Sequence, residues 1–528
     1  MVKAINLYLH GDDKKDELAA NSTVMMLSFI FDLLDHGNKI SLDHELLLSI
    51  TVNAAFFSQD GLHFGYFLSS IDSDVVQVTR TSFDWSAKSS TYGQLQQMAS
   101  QPLTSSLGTL SRIMAFSLGE VRASDALASV IKDLASVSRS LLVQWQQNKL
   151  SEIDAVEESE FLTEESMRST LPTLWQLLRS AMFAIVIVLR STLGRVLKDG
   201  SLPPDFGPFV AIQTLITLRN VYFISSRSAQ TAFSQYQFVF LSAIDILSHY
   251  PIQAEAFLRD IKPKAPGKFS DHPLDRCLDL YFFNVAEHMT ALLSPGVNET
   301  LLLEACRPYL GIGSDARLRE IFEAAHSVTL SVLSAPQNSE LVSRHIRQYL
   351  DVVFETFPSA ISPRQFRMAI KSLVKISSPP FSISTTVPLL PSLILEMVRS
   401  KIEPARAAPL AGQFNEKSAI AQQPSLSEKA SYQLAVIDSL PLLPLHQLED
   451  WLELTAASLA VINDPNQYQI CLQRFWEVLS NGEMDVDRAS LCLAWWGTRG
   501  GREAVAYRDV IEQEGALMSG ALMEQTKL

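Results

Sequence analysis

The side chains that could bind a metal or act as nucleophiles are scattered along this chain of 528 residues. Its ten histidines form no HExxH motif, and its four cysteines, Cys277, Cys306, Cys471 and Cys492, include no CxxC pair. A structural zinc site needs four cysteine or histidine ligands at short spacings, and these spacings are missing. Isolated thiols are typical of a reducing compartment, where a buried cysteine packs as a small apolar side chain. The sequence therefore predicts no metal site.

Patterns for phosphate and cofactor binding are also missing. Gly311–Ala316 matches the loose GxGxxA form, but it does not follow a strand, as a dinucleotide site requires. We interpret it as a turn between two helices. The chain contains no P-loop and no GxSxG nucleophile elbow. The sequence thus predicts no catalytic residue and no cofactor, which weighs against an enzyme.

The last three residues, Thr526, Lys527 and Leu528, have the types that a C-terminal peroxisomal address requires. A receptor groove for such a signal binds a free carboxylate, an apolar leucine, a cation and a small residue. Threonine fits that groove less closely than serine. The tripeptide predicts a compartment, the peroxisome, and no chemistry; the alternative is an incidental tail.

The charge balance excludes one class of partner. The chain has 43 lysines and arginines against 57 aspartates and glutamates, which gives a net charge of -14. Such a chain repels a phosphate backbone, so we expect no nucleic-acid binding. Only 19% of its residues are charged, whereas an average globular protein has about 25%. This composition predicts a large buried core or apolar interfaces.

The longest apolar run in the chain is Ala181–Leu189. A helix needs about 20 apolar residues to span a bilayer, so we interpret this run as a buried helix segment. Any membrane association is expected to be peripheral, through protein partners or an amphipathic face.

Apolar residues recur at three- and four-residue steps almost throughout, which predicts an all-α protein. We favour an irregular α-solenoid of stacked helical pairs, similar to HEAT or armadillo repeats, and a compact helical bundle is the alternative. Ser362–Gln365 predicts a helix start with a capping box, and Asp464–Gln467 repeats this arrangement. Val75–Thr81 is the predicted strand, and residues 82–92 are predicted to form an exposed loop.

Polar and proline-rich stretches divide the chain into regions. These are an N-terminal helical region over 1–150, a central helical region over 151–262 that follows an acidic linker, a helical repeat-like region over 273–402, a disordered linker over 403–427, and a C-terminal helical region over 428–528. Two Pro-Leu-Leu-Pro runs, Pro388–Pro391 and Pro441–Pro444, meet the minimal PxxP spacing of a polyproline ligand. We interpret them as turns and helix starts.

Several segments of the second half resemble the fungal peroxin eight family, an intraperoxisomal peroxin of the matrix-protein import machinery. The segments are Asp271–Leu280 (DHPLDRCLDL), Ile321–Ser327 (IFEAAHS), Ser362–Arg367 (SPRQFR), Ile437–Pro441 (IDSLP), Arg474–Leu479 (RFWEVL) and Ala494–Glu503 (AWWGTRGGRE). The upstream stretch Leu215–Tyr250 is similar to the same family. The resemblance covers about residues 170 to 528 and is most specific in the final hundred.

The resemblance implies a helical, non-enzymatic protein without a cofactor, peripheral on the inner face of the peroxisomal membrane. It implies a scaffold that links the receptor-docking complex to the RING-finger ubiquitin-ligase complex. It also implies contact with the cycling import receptor for C-terminal signals and a link to cargo release. Thr526, Lys527 and Leu528 lie where the family carries its targeting tripeptide.

One part of the family-like sequence has the composition of a partner interface. Trp495 and Trp496 stand beside the Gly500-Gly501 pair and near Arg499 and Arg502, and tryptophan and arginine are enriched at interface hot spots. Packing of at least one tryptophan in the core is an equal alternative, and the stretch Gly497–Arg502 is equally well interpreted as a helix-breaking loop. Two other functions stay open on the residues alone, a helical-repeat adaptor in the cytosol or nucleus and an unrecognised all-α enzyme.

Overall fold

The structure is a computed structural model that describes residues 17–79, 82–227, 234–313, 315–410 and 425–505. The chain forms two compact units, Met1–Leu293 and Ser294–Leu528. In its described residues each unit is built almost wholly of helices, so the prediction of an all-α protein is confirmed.

The helices of the first unit bury the apolar residues that recur at three- and four-residue steps. They are α1 Glu17–Ile30, α2 His36–Ile40, α3 His44–Val52, α4 Phe67–Ile71, α5 Ser90–Ser100, α6 Pro102–Ser105, α7 Leu107–Glu120, α8 Ser124–Gln146, α9 Glu158–Phe161, α10 Leu171–Lys198, α11 Phe206–Asn220, α12 Tyr222–Ser225, α13 Ser234–Ser248, α14 Pro251–Ile261 and α15 Pro273–Ala286. Helix α10 packs against α7 and α13, and α11 packs against α8 and α13.

Helix α10 and the π-helical turn before it are together long and apolar enough, by length and composition, to cross a membrane. The run Ala181–Leu189 lies in the middle of this helix, and most of its side chains, including Ile185 and Leu189, are fully buried. The helix therefore has the packing of a core helix of the first unit, as the shortness of the run predicts.

The region predicted as one strand and an exposed loop is a short hairpin. Strand β1 Val76–Gln77 pairs antiparallel with β2 Phe83–Asp84. The next residue, Trp85, is fully buried, and its indole N–H donates a hydrogen bond to Thr91 Oγ1 at 3.1 Å. The exposed loop over 82–92 is thus a wrong prediction, because one large aromatic side chain fixes this stretch to the core.

The acidic stretch over 151–165 contains α9 and is held by two arginines. Asp154 Oδ2 lies 3.0 Å from Arg276 Nη2, and Glu158 pairs with Arg227. All four side chains are less than a fifth exposed. Burial lowers the pKa of Arg227 to about 10. This stretch is therefore a packed part of the first unit.

The second unit is also built of helices joined by short turns. They are α16 Pro295–Val297, α17 Glu304–Cys306, α18 Arg319–Ser334, α19 Ser339–Thr356, α20 Pro363–Ser377, α21 Ile383–Thr386, α22 Leu390–Arg399, α23 Glu428–Ser439, α24 Leu445–Leu459, α25 Pro465–Ser480 and α26 Val486–Thr498. Helix α23 packs against α20 and α25, and α26 packs against α24 and α25.

Helix α23 is the central helix of the second unit. Every residue from Ala430 to Ser439 is buried, polar ones included. Two of its buried polar side chains donate hydrogen bonds to carbonyl groups, Gln433 to Thr455 at 3.1 Å and Ser439 to Ala435 at 2.7 Å. A helix enclosed on all sides has no polar face, so its pattern is only weakly amphipathic.

The two predicted helix starts have different outcomes. At α20 the capping box is confirmed, because Gln365 N–H donates to Ser362 Oγ and Ser362 N–H donates to Gln365 Oε1. At α25 Asp464 caps the helix, but Gln467 does not complete the box. Its amide instead accepts from the N–H of Ser427 at 2.9 Å. The second box is therefore a wrong prediction, since a tertiary partner competes for the glutamine.

The edges of the predicted linker are ordered. Pro409 and Ser427 form an isolated antiparallel bridge, and Leu410 N–H donates to the carbonyl of Leu426 at 2.9 Å. The central part of the linker, residues 411–424, lies outside the described residues.

Both Pro-Leu-Leu-Pro runs lie at helix starts. Pro391 is in the first turn of α22, and Pro444 is the residue before α24. The side chain of Gln447, in α24, donates to the carbonyl of Pro388 at 2.8 Å. The runs thus act as turns and helix starts in this structure, in agreement with our interpretation.

Candidate interaction surface on the last helix

The residues proposed as a partner interface lie at the C-terminal end of α26. This helix begins after Asp485, whose carboxylate accepts the N–H of Arg488 at 2.9 Å. Only two of its side chains, Cys492 and Trp495, are fully buried. Ala489, Leu491 and Trp496 are partly buried against the same core, and the opposite side of α26, which includes Val486, Ser490 and Leu493, is exposed.

The two tryptophans have different environments. Trp495 is 1% exposed and meets the ring of Phe475 edge-on, with ring centroids 6.2 Å apart. The chain passes close over it, because a Cβ atom on Gly501 would lie 2.6 Å from the indole. Trp496 is only partly buried and stands perpendicular to Trp476, with centroids 4.1 Å apart. Trp495 is therefore a packing residue, and Trp496 is the tryptophan that reaches the surface.

An apolar strip continues from Trp496 along the outside of α26. Val486 is 81% exposed and Leu493 is 70% exposed, and Ser490 is exposed between them. Spacings of four, three and three residues place Val486, Ser490, Leu493 and Trp496 along one side of the helix. We call these four residues the α26 face. It has no charged member, which is the composition of an interface core.

The arginines of this region are both exposed. Arg499 Nη1 lies 2.6 Å from both carboxylate oxygens of Glu449, in a pair that is half exposed and therefore contributes little to stability. Arg502 makes no ion pair with the described residues. The structure thus brings Trp496, Arg499 and Arg502 to one end of α26, whereas Thr526, Lys527 and Leu528 lie outside the described residues.

Sequence reasoning missed a buried ionic cluster in the same unit. Asp438 of α23 has a side chain only 8% exposed and receives two arginines. Arg367 Nη2 lies 2.6 Å from Asp438 Oδ2, and Arg474 Nε lies 2.7 Å from Asp438 Oδ1. Arg474 also contacts Glu483 at 2.9 Å, so the cluster joins α20, α23, α25 and the turn before α26.

Hydrogen bonds in the cluster shift the pKa values of Arg474 and Glu483. Burial alone would lower the pKa of Arg474, but the bonds to Glu483 and Asp438 raise this pKa above its ordinary value. The same contact with Arg474 lowers the pKa of the Glu483 carboxyl. The contact between Arg474 and Glu483 therefore favours the charged form of both side chains. The cluster fixes three helices relative to one another.

The thiols have the environment of core residues. Cys306, Cys471 and Cys492 are buried, and burial raises their pKa values to about 12, 12 and 11 respectively. Such thiols are almost fully protonated at neutral pH and are poor nucleophiles. Cys277 is partly exposed. Within the described ranges, no group of three or more histidine, cysteine, aspartate or glutamate residues could hold a metal ion.

Two stretches of this chain match models of known protein families. The family model described as the PEX8 central TPR-like domain matches residues 254–334, and the model described as the PEX8 C-terminal domain matches residues 340–505. Residues 254–334 and 340–505 of the chain are therefore similar to the PEX8 family. This confirms the resemblance to the peroxin eight family, and the TPR-like domain is consistent with the predicted helical-repeat fold.

The curated relatives are proteins of peroxisome biogenesis. Peroxisomal membrane protein PEX17 of Yarrowia lipolytica is 28% identical over 322 residues, which cover 56% of this chain and 47% of that protein. Peroxisomal biogenesis factor 8 of Pichia angusta is 23% identical over 342 residues, 61% of this chain and 51% of that protein. The factor of Komagataella phaffii is 24% identical over 367 residues, with the same two shares.

The chain thus spans about half the length of the curated relatives that it matches. The names printed for these relatives are those of a peroxisomal membrane protein and of peroxisomal biogenesis factors. The α26 face and the ionic cluster both lie within the matched PEX8 C-terminal domain. Arg367, Asp438 and Arg474 each lie in one of the segments that resemble the family. Their presence in three such segments was the sequence signal that could have indicated the cluster.

Proposed function

We propose that this chain is a non-enzymatic scaffold of peroxisomal matrix-protein import, peripheral on the inner face of the peroxisomal membrane. It links the receptor-docking complex to the RING-finger complex and binds the cycling import receptor. The observation that carries the proposal is the match of residues 340–505 to the PEX8 C-terminal domain, which contains an apolar face that no other described residue covers.

The α26 face supplies the contact that such a scaffold needs. Stacked helices offer extended surface for several partners. On this surface, Trp496 provides a large anchor with little side-chain entropy to lose, and Leu493 and Val486 add apolar area around it. Arg499 and Arg502 lie at the edge, where charges select a partner and orient it.

The C-terminal tripeptide is the proposed address of the chain. In this proposal the import receptor for C-terminal signals binds Thr526, Lys527 and Leu528, which carries the chain to the matrix. The same receptor is then both the carrier of the chain and one of its working partners.

Substitution of the surface tests this proposal. We expect Trp496→Ala combined with Arg502→Glu to weaken binding of the full chain to a docking-complex or RING-finger peroxin by about 30-fold or more, the size of a hot-spot loss. The measurement is a titration of the purified chain with each purified partner. Leu389→Ala is the matched control, because Leu389 is 62% exposed in the same unit and lies outside the α26 face.

The control separates binding from folding. We expect Leu389→Ala to bind as the unchanged protein does, and we expect both variants to unfold at the same temperature as the unchanged protein within a few degrees. Unchanged affinity of the Trp496 and Arg502 double variant for every import peroxin would overturn the assignment of this surface.

A further inference from the structure

Helix α1, in the first unit, has an exposed apolar stripe. Its large members, Leu18, Met26, Phe29 and Leu33, are all more than half exposed, and Leu33 at 84% is the most exposed large apolar side chain among the described residues. Spacings of four, four, three and four residues place these side chains, together with Ser22, along one side of α1 and the 3₁₀ turn that follows it. We call these five residues the α1 stripe. A contiguous apolar surface of this kind marks a contact site.

The opposite side of α1 is packed into the core. Val24 and Leu27 are fully buried there. Phe31 meets the ring of Phe116 edge-on, with ring centroids 5.7 Å apart. The helix also packs against α3 and α7. Because these contacts hold α1 in place, the stripe is a fixed part of the surface of the first unit.

The side chains of the α1 stripe need no hydrogen bond from water. Its one polar member, Ser22, donates through Oγ to the carbonyl of Leu18 at 2.8 Å. Beside the stripe, Thr23 donates to the carbonyl of Ala19 at 2.9 Å in the same way. Hydrocarbon offers no hydrogen-bond partner, so a surface that enters it must satisfy its polar groups internally. The stripe meets this requirement.

The charges near the stripe lie at its ends and are already engaged. Glu17 is the only charged residue of α1. Asp32 forms an exposed ion pair with Arg112 at 3.0 Å, and the ammonium group of Lys39 lies 4.8 Å from the centre of the Phe31 ring. The whole chain has a net charge of -14. We therefore expect no attraction between this surface and anionic lipid headgroups.

We propose that the α1 stripe inserts into the interface of an electrically neutral lipid bilayer and holds the chain on the membrane surface. An interfacial helix buries its apolar side about 5 to 10 Å into the boundary between headgroups and acyl chains, and leucine and phenylalanine are typical of that side. Helix α1 has 14 residues and extends about 21 Å, so it can lie in the plane of the interface.

A protein partner suits the stripe less well than a bilayer does. The stripe has no tryptophan, tyrosine or arginine, the types enriched at hot spots between proteins. A second copy of the chain is also a weaker occupant, because a stable interface takes about 20 to 30 residues from each partner. The location of the contact at the peroxisomal membrane rests on the proposed function, whereas the affinity for lipid does not.

Flotation of the full purified chain with phosphatidylcholine vesicles tests the contact. We expect Phe29→Glu combined with Leu33→Glu to lower the partition coefficient by about 30-fold or more, because both charges would have to enter hydrocarbon. Leu197→Glu combined with Ile252→Glu is the matched control, since it adds the same charge at two exposed apolar positions of the same unit. The control should bind as the unchanged protein does, and both variants should unfold within a few degrees of it.

Lipid composition and salt test the neutral character of the contact. Replacing about a third of the phosphatidylcholine by phosphatidylserine should not strengthen binding, and raising the salt from about 50 mM to about 500 mM should not weaken it. No binding to phosphatidylcholine, equal binding by all three proteins, or binding that requires phosphatidylserine would overturn the proposal. A dimer in lipid-free solution that only the Phe29 and Leu33 variant loses would also overturn it, in favour of a second copy. The vesicles contain no peroxin, so failure here is distinct from failure of the proposed function.

Discussion

Replacing Asp438 by alanine is expected to lower the opening free energy of α23 and α25 by about 3 to 5 kcal/mol, the cost of breaking a buried ion pair. The loss is large because Arg367 and Arg474 both contact this one carboxylate, whose side chain is 8% exposed. Hydrogen exchange of peptides from α23 and α25 measures it, since exchange reports local opening.

Two further variants show whether the loss in Asp438→Ala comes from the buried ion pairs. Glu449→Ala breaks the half-exposed pair with Arg499 and should cost less than about 1 kcal/mol. Adding Arg367→Met and Arg474→Met to Asp438→Ala should recover part of the loss, because unpaired buried charges are removed with their partner. A cost for Asp438→Ala no larger than that of Glu449→Ala would contradict the cluster.

His326 is expected to make the second unit sensitive to mild acid. Its Nε2 donates to the carbonyl of Leu310, so its Nδ1 is the acceptor of the Tyr349 hydroxyl at 2.9 Å, an arrangement that suits the neutral ring. Burial lowers the pKa of His326 from 6.5 to about 4. In the unfolded chain His326 is therefore protonated below about pH 6.5, whereas in the folded chain it stays neutral until about pH 4.

The sign of the effect follows from this difference in proton uptake. Above pH 6.5 His326 does not lower the free energy of unfolding. As the pH falls from 6.5 to 4, protonation of His326 in the unfolded chain lowers this free energy by about 3 kcal/mol. Urea unfolding between pH 7 and pH 4.5 measures this loss. We expect the free energy of unfolding of His326→Gln to depend less on pH than that of the unchanged protein. The control His446→Gln, which changes an exposed histidine, should show the same pH dependence as the unchanged protein. Equal slopes in both variants would refute the role of His326.

Local signals predicted local structure. The capping box of Ser362 and Gln365 is confirmed because all its atoms lie within four residues of chain. The equivalent box at Asp464 is not formed because Gln467 bonds to Ser427, 40 residues away. The burial of Trp85 was not predicted for the same reason. The residues next to it in sequence are polar, and they do not indicate which residues contact it in the fold.

The candidate surface was only partly predictable. Trp496, Arg499 and Arg502 were identified from composition, but adjacent tryptophans on a helix point about 100° apart, and only the packing shows which is buried. Leu493 and Val486 were missed, because an apolar residue at helical spacing reads as core until the neighbours are known. The pairing of Asp438 with Arg367 and Arg474 joins residues 71 and 36 positions apart, which periodicity cannot reveal.

The most direct test of the proposed scaffold function is isolation of the import machinery from peroxisomal membranes with and without this chain. A tagged docking-complex subunit is purified, and the RING-finger peroxins that accompany it are quantified. The scaffold predicts that the two complexes purify together when the chain is present and separately when it is absent. Equal recovery of the RING-finger peroxins in both preparations would contradict it.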